Sequence, residues 1–188
     1  MAERQRVSAP FAWDKGVEYE VLESMLRRLL ETARSDRDYL YAAILYTQLK
    51  NASRVSEAVD AVLEFARAGE REVYVRVRKR RDGFRRLMVI PPLVERRRVA
   101  WAAGEDPARL KRRVEVWCPA HVRARRGGRE VGVNTHSIRY AAITHLVVEK
   151  KAAPQIVAKV TGHKKLDYIL HYTQYVRAEE LLREVANE

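Results

Sequence analysis

The chain has 188 residues, 47% of them hydrophobic, which suffices for one substantial core and excludes wholesale disorder. Its 37 Lys and Arg against 25 Asp and Glu leave a formal charge of +12, which favours a polyanionic partner, nucleic acid ahead of an anionic membrane surface. The single cysteine, Cys118, excludes an internal disulfide and a cysteine metal cage, and no apolar run reaches the roughly 20 residues of a membrane span. The N-terminal MAERQRVSAP has no hydrophobic signal core, so the expected setting is the cytoplasm of the host cell.

In chain order, residues 1–14 carry mixed charge and a proline and read as a flexible segment. From Val17 to Ala33 the apolar positions follow helical spacing, and Asp36 is expected to cap a second helix from Arg37 to about Leu49. A third helix runs from Arg54 to Ala68, with a stripe of Val55, Ala58, Val59, Val62 and Leu63, and Gly69 stops it. The period then drops to two. Val73, Val75 and Val77 alternate with Tyr74, Arg76 and Arg78, Asp82-Gly83 marks a turn, and Phe84 to Ile90 returns as a second strand. Residues 93–103 and 108–117 look helical around Gly104 and Pro107, although VEVW at 114–117 also suits a short strand. Arg123 to Arg129 reads as an exposed basic loop. Asn134 or Thr135 caps the next helix, Pro154 opens another that Gly162 closes, and Leu166 to Tyr175 and Ala178 to Val185 complete the helical pieces. The fold class expected is α+β, mainly helical, with a small antiparallel β-hairpin or three-stranded sheet: one domain over 15–177 and a tail helix over 178–188.

Chemistry concentrates between Asn134 and Tyr175. His136 and Arg139 lie three apart and share a helical face, followed by the pair Gly162-His163 and by Tyr172. Arg offers a planar fork to phosphodiester oxygens, His moves a proton near neutral pH, and a tyrosine can attack phosphorus. Metal chemistry finds no pattern here. There is no HExxH, and His136 and His145 are nine residues apart on opposite helix faces. Phosphate-binding glycine motifs are absent too. No cofactor is expected.

The boxes NASRVSEAVDAVLEF, a hairpin with a lysine, THSIRYAAITHL, TGHKK and HYTQY, in that order, resemble the tyrosine recombinase (phage integrase) catalytic domain over about residues 20–177, in the style of archaeal viral or plasmid integrases. The resemblance implies that fold, and a site-specific DNA recombinase that cleaves and rejoins DNA through a 3′-phosphotyrosine intermediate without metal or ATP. It implies Arg54 as the first catalytic arginine with Glu57 as its acidic supporter. Lys79 would be the mobile lysine, His136 and Arg139 the HxxR pair, His163 the second histidine and Tyr172 the nucleophile. Tyr140 replaces a frequent second His, and Asn51-Ala52-Ser53 a Thr-Gly-Leu-like lead-in. Arg76, Arg78, Arg80 and Arg81 of the hairpin, with Arg123, Arg125 and Arg126 of the basic loop, are expected to contact DNA phosphates.

Read singly, each piece has a plainer alternative. Arg54 with Glu57 is an ordinary helix ion pair, Lys79 a solvated charge, and Tyr168 and Tyr175 stand near Tyr172. The partner implied is double-stranded DNA, as a recombination site or Holliday junction, with the chain a monomer when free and a homotetramer on DNA. No membrane partner is expected. The alternatives are a type IB topoisomerase-like nicking-closing enzyme and a non-catalytic DNA-binding module with the same fold. With no room for the N-terminal clamp that such proteins usually carry, DNA affinity is expected to be weak and to fall steeply with salt, a dependence that gel shifts across a salt series measure.

Overall fold

The computed structural model describes residues 17–78, 80, 82–126, 129–163, 169 and 185–186. The first helix, α1 (Tyr19–Thr32), turns its Leu22, Leu26 and Leu30 inward at a spacing of four. Helix α2 (Asp36–Lys50) is buried on every side from Tyr39 to Leu49, because α1, α3 (Val55–Ala68) and later helices all pack around it. Its cap is Ser35 rather than Asp36. The Ser35 hydroxyl oxygen accepts the Asp38 N–H at 3.0 Å from an extended backbone, which places Asp36 in the first turn, where its charge suits the helix dipole. All five expected stripe residues of α3 are buried, and Gly69 ends the helix at φ 82°, a left-handed angle that glycine adopts without steric cost.

Strands β1 (Glu72–Arg76) and β2 (Arg85–Val89) pair antiparallel, with Val73 opposite Met88 and Val75 opposite Arg86. Val73, Val75 and Val77 face the core as their alternation predicts, and the Asp82 side chain accepts the Phe84 N–H across the turn. After a short helix α4 (Arg96–Val99) and a 3-10 turn (Ala100–Gly104), α5 (Pro107–His121) runs unbroken. VEVW is therefore helical. Leu110, Val114 and Cys118 sit one turn apart on its buried face, and Asp106 caps its start.

The basic segment at 123–129 is not a loop. It forms β3 (Arg123–Arg126), paired antiparallel with β4 (Arg129–Gly132), so among the described residues there are two separate hairpins instead of one three-stranded sheet. The run of arginines hid a period of two: Val122 and Ala124 point inward while Arg123 and Arg125 point out. β4 lies so close to α5 that a Cβ on Gly132 would stand 2.4 Å from the Pro119 carbonyl oxygen. Gly132→Ala is therefore expected to prise β4 from α5 and lower stability by about 1–3 kcal/mol. A thermal melt equal to the parent's would show that the contact is not tight.

Helix α6 (Thr135–Val148) begins at Asn134, whose side-chain oxygen accepts the Ser137 N–H at 2.8 Å, and α7 (Pro154–Thr161) ends at Gly162 with φ 72°. No described helix is long and apolar enough to cross a membrane. Residues 1–14 and, apart from 169 and 185–186, the expected helical pieces at 166–175 and 178–185 lie outside the described residues. So do Lys79, Arg81 and Tyr172.

Candidate active site

Arg54 is the residue that enters α3. Its backbone N–H and its guanidinium both bond to Glu57 one turn on, at 3.1 Å and 2.9 Å, so a single carboxylate fixes the start of the helix and the side chain together. Glu57 is 1% exposed while the Arg54 side chain is 24% exposed, which makes this pair more than a solvated surface contact. A buried carboxylate needs further donors. The second oxygen of Glu57 finds one in Arg86 of β2, at 3.3 Å.

Arg139 stands on the second turn of α6 and is 5% exposed. Its Nη2 donates to the Thr161 carbonyl at 3.3 Å and faces Nε2 of His163 at 3.1 Å. The Thr161 hydroxyl donates to the Val157 carbonyl at 2.7 Å, so its oxygen accepts from Nδ1 of His163 at 2.6 Å. These contacts settle the tautomer through the network: Nδ1 carries the proton and Nε2 accepts from Arg139. Gly162 lets the chain turn here, since a Cβ would press on Val77 at 3.1 Å. The end of α7 thus rests against the base of the first hairpin.

Arg139 contacts His163, and the charges of Arg54 and Arg86 also reach it. Burial, then Arg139, Arg54 and Arg86 in that order, push its pKa down from 6.5 to about 4, so the imidazole is neutral at pH 7. Between the folded value near 4 and an unfolded value near 6.5, the unfolded chain binds more protons. The stability contributed by the neutral ring is therefore present above about pH 6.5 and lost as pH falls through 4. A proton NMR titration is expected to place the His163 midpoint near 4 in the free protein, and a bound phosphodiester is expected to raise it by offsetting the guanidiniums. A midpoint of about 6.5 in the free protein would contradict this surrounding of positive charge.

Of the expected site residues, the structure thus brings Arg54, Glu57, Arg139 and His163 together. His136 is exposed in the first turn of α6, one turn before Arg139. Helix α6 is in turn held to α2 by Gln48, which donates to the Thr135 carbonyl at 2.6 Å. Lys79 and Tyr172 lie outside the described residues, but Val77 and Phe84, on either side of Lys79 in the chain, are joined by a 2.9 Å backbone bond and lie against the Gly162 position.

The expected DNA-contacting arginines divide. Arg76 and Arg125 are exposed, whereas Arg78 pairs with Asp60, Arg80 with Asp82, and Arg123 with Glu130. Such exposed pairs are worth about 0–1 kcal/mol, so a phosphate competes with them readily. The side chains of Arg81 and Arg126 lie outside the described residues.

Arg86 escaped the sequence reading, as did Thr161. A signal for Arg86 was present, because it occupies the same inward parity as Met88 and Ile90, where an alternating strand places apolar residues. A charge in that register has a buried partner to meet.

Comparison with known proteins finds relatives in two viruses and in an archaeon. It is 35% identical over 180 residues to a protein of Acidianus two-tailed virus provisionally named integrase ORF241, an alignment that spans 93% of this chain and 69% of that one. It is 30% identical over 200 residues to an uncharacterised protein of Methanocaldococcus jannaschii, covering 93% and 89% of the two chains. A third relative, provisionally named integrase V10 of Sputnik virophage, is 27% identical over 209 residues, covering 90% and 88%. No family profile matches the chain, and no solved structure matches it. At that identity and coverage, the chain belongs to the integrase family of the Acidianus two-tailed virus protein.

Proposed function

We propose that this protein is a tyrosine recombinase, a site-specific DNA strand transferase that works through a 3′-phosphotyrosine bond and needs neither metal nor ATP. The observation that carries the reading is the convergence of Arg54 and Arg139, from two different helices, on the neutral His163. Two guanidinium forks are what the non-bridging oxygens of a phosphodiester need as charge builds on the pentavalent phosphorus. Names given to the viral relatives point the same way, toward DNA as the partner.

In this mechanism the Tyr172 oxygen attacks phosphorus and forms the phosphotyrosine bond as the bond to the 5′-oxygen breaks. A free phenol has a pKa of about 10, so its proton must leave during attack. His136, exposed beside Arg139, is better placed to take it than His163, whose Nε2 is already engaged by Arg139. Lys79 delivers a proton to the leaving 5′-oxygen, which departs as a hydroxyl. The covalent bond conserves the energy of the phosphodiester, so rejoining requires no nucleotide. The chain acts in the host cell interior, as a monomer when free and as a homotetramer on a Holliday junction.

A nicked suicide duplex tests this with EDTA present and nucleotides omitted. A denaturation-resistant protein–DNA adduct and joined exchange products are the expected outcome. No adduct would leave a non-catalytic DNA-binding module, and an adduct with no exchange products would leave a nicking-closing enzyme of the type IB topoisomerase kind.

A further inference from the structure

We propose that Arg86 is a positioning residue: from beneath the first hairpin it holds Arg54 against the DNA phosphate by way of Glu57. The inference rests on the recombinase reading above and deepens it. Arg86 is 3% exposed, on the inward face of β2, where its strand neighbours are apolar. One arm of its fork reaches Glu57 at 3.3 Å and the other donates to the Asn51 carbonyl at 2.5 Å. Asn51 is itself docked on the edge of β2. Its side-chain amide donates to the Val89 carbonyl and accepts the Val89 N–H, both at 2.8 Å, as a paired strand residue would. The lead-in from Asn51 to Arg54, with Ala52 at φ 47°, is therefore pinned to the hairpin at two points, one of which is Arg86.

Plain stability explains this arrangement poorly. A buried ion pair adds little over apolar groups of the same volume, yet here one carboxylate divides its oxygens between a buried arginine and a half-buried one. The division makes geometric sense if Arg54 must keep one orientation while it grips a phosphate. It also ties that orientation to β2, the strand that carries Arg86.

Single-turnover cleavage by the full chain on saturating suicide duplex tests this, with duplex affinity and thermal melts measured alongside. Arg86→Met is expected to cleave about 10- to 100-fold more slowly, with affinity within about threefold of the parent. Arg86→Lys should recover part of the rate, because an ammonium keeps the charge beside Glu57 but lacks the rigid fork whose two nitrogens hold Glu57 and the Asn51 carbonyl apart. If Arg86 acts through Glu57, the Arg86→Met/Glu57→Gln double variant is no slower than Glu57→Gln alone. Should Arg86→Met fail to fold, Arg86→Lys, which keeps the charge, carries the test below its own melting temperature. Rates equal to the parent's in the folded variants, or losses that multiply in the double variant, overturn this inference alone. A parent that forms no adduct overturns the recombinase reading and takes this inference with it.

Discussion

Tyr172→Phe is expected to abolish the covalent DNA adduct while leaving duplex affinity within about twofold of the parent. The reason is the chemistry of the missing atom. Phenylalanine keeps the ring but offers no oxygen to attack phosphorus, and an arginine guanidinium cannot substitute as a nucleophile. Removing a nucleophile from an otherwise intact site costs on the order of 10⁴- to 10⁶-fold in rate. Affinity is expected to be set instead by the many cationic contacts to phosphates along the duplex. Denaturing gels on the nicked suicide duplex read the adduct, and mass spectrometry of the modified peptide names the tyrosine. Tyr168→Phe and Tyr175→Phe are the controls. An adduct that survives Tyr172→Phe and vanishes in one of them would reassign the nucleophile.

Arg139→Lys should bring the second-largest loss, about 100- to 1000-fold in the cleavage rate at saturating DNA. Arg139 already serves the Thr161 carbonyl and His163 Nε2 through Nη2, at 3.3 and 3.1 Å, from a position only 5% exposed. A guanidinium can keep those contacts and still present a second N–H edge to a phosphate, because its donors diverge from one plane. A lysine ammonium radiates its three donors from one nitrogen on a flexible stem, so it cannot span partners set this far apart. Whichever partner it drops, either the transition-state oxygen loses a donor or His163 loses the group that orients it. The charge is unchanged, so the loss should fall on the rate and little on affinity. A cleavage rate within about threefold of the parent would remove Arg139 from the phosphate site.

Much of the scaffold could be read before any coordinates. The stripe of α3, the alternation of β1, the Asp82-Gly83 turn and the caps at Asn134 and Gly162 all follow from local rules that span four residues or fewer. The same locality explains the errors. Ser35 and Asp36 are both good caps, and only the extended backbone at Ser35 decides between them. The strand at Arg123–Arg126 was lost because its outward arginines outweighed two small inward residues, Val122 and Ala124.

What the sequence determined by itself, then, was the helices before His163, the first hairpin and the residue types a phosphate-handling site would need, because periodicity and side-chain chemistry are written in neighbouring positions. The convergence of Arg54, Glu57, Arg86, Arg139 and His163 was decided only in three dimensions. Arg54 and Glu57 are neighbours at the start of α3, but the others come from β2, α6 and the end of α7, up to 109 positions from Arg54, and no rule of spacing links them to it. Burial makes the connection. Once Glu57 and Arg86 are withdrawn from water, each must find a partner, and the partner is whichever charged group the packing of helix and hairpin brings within reach.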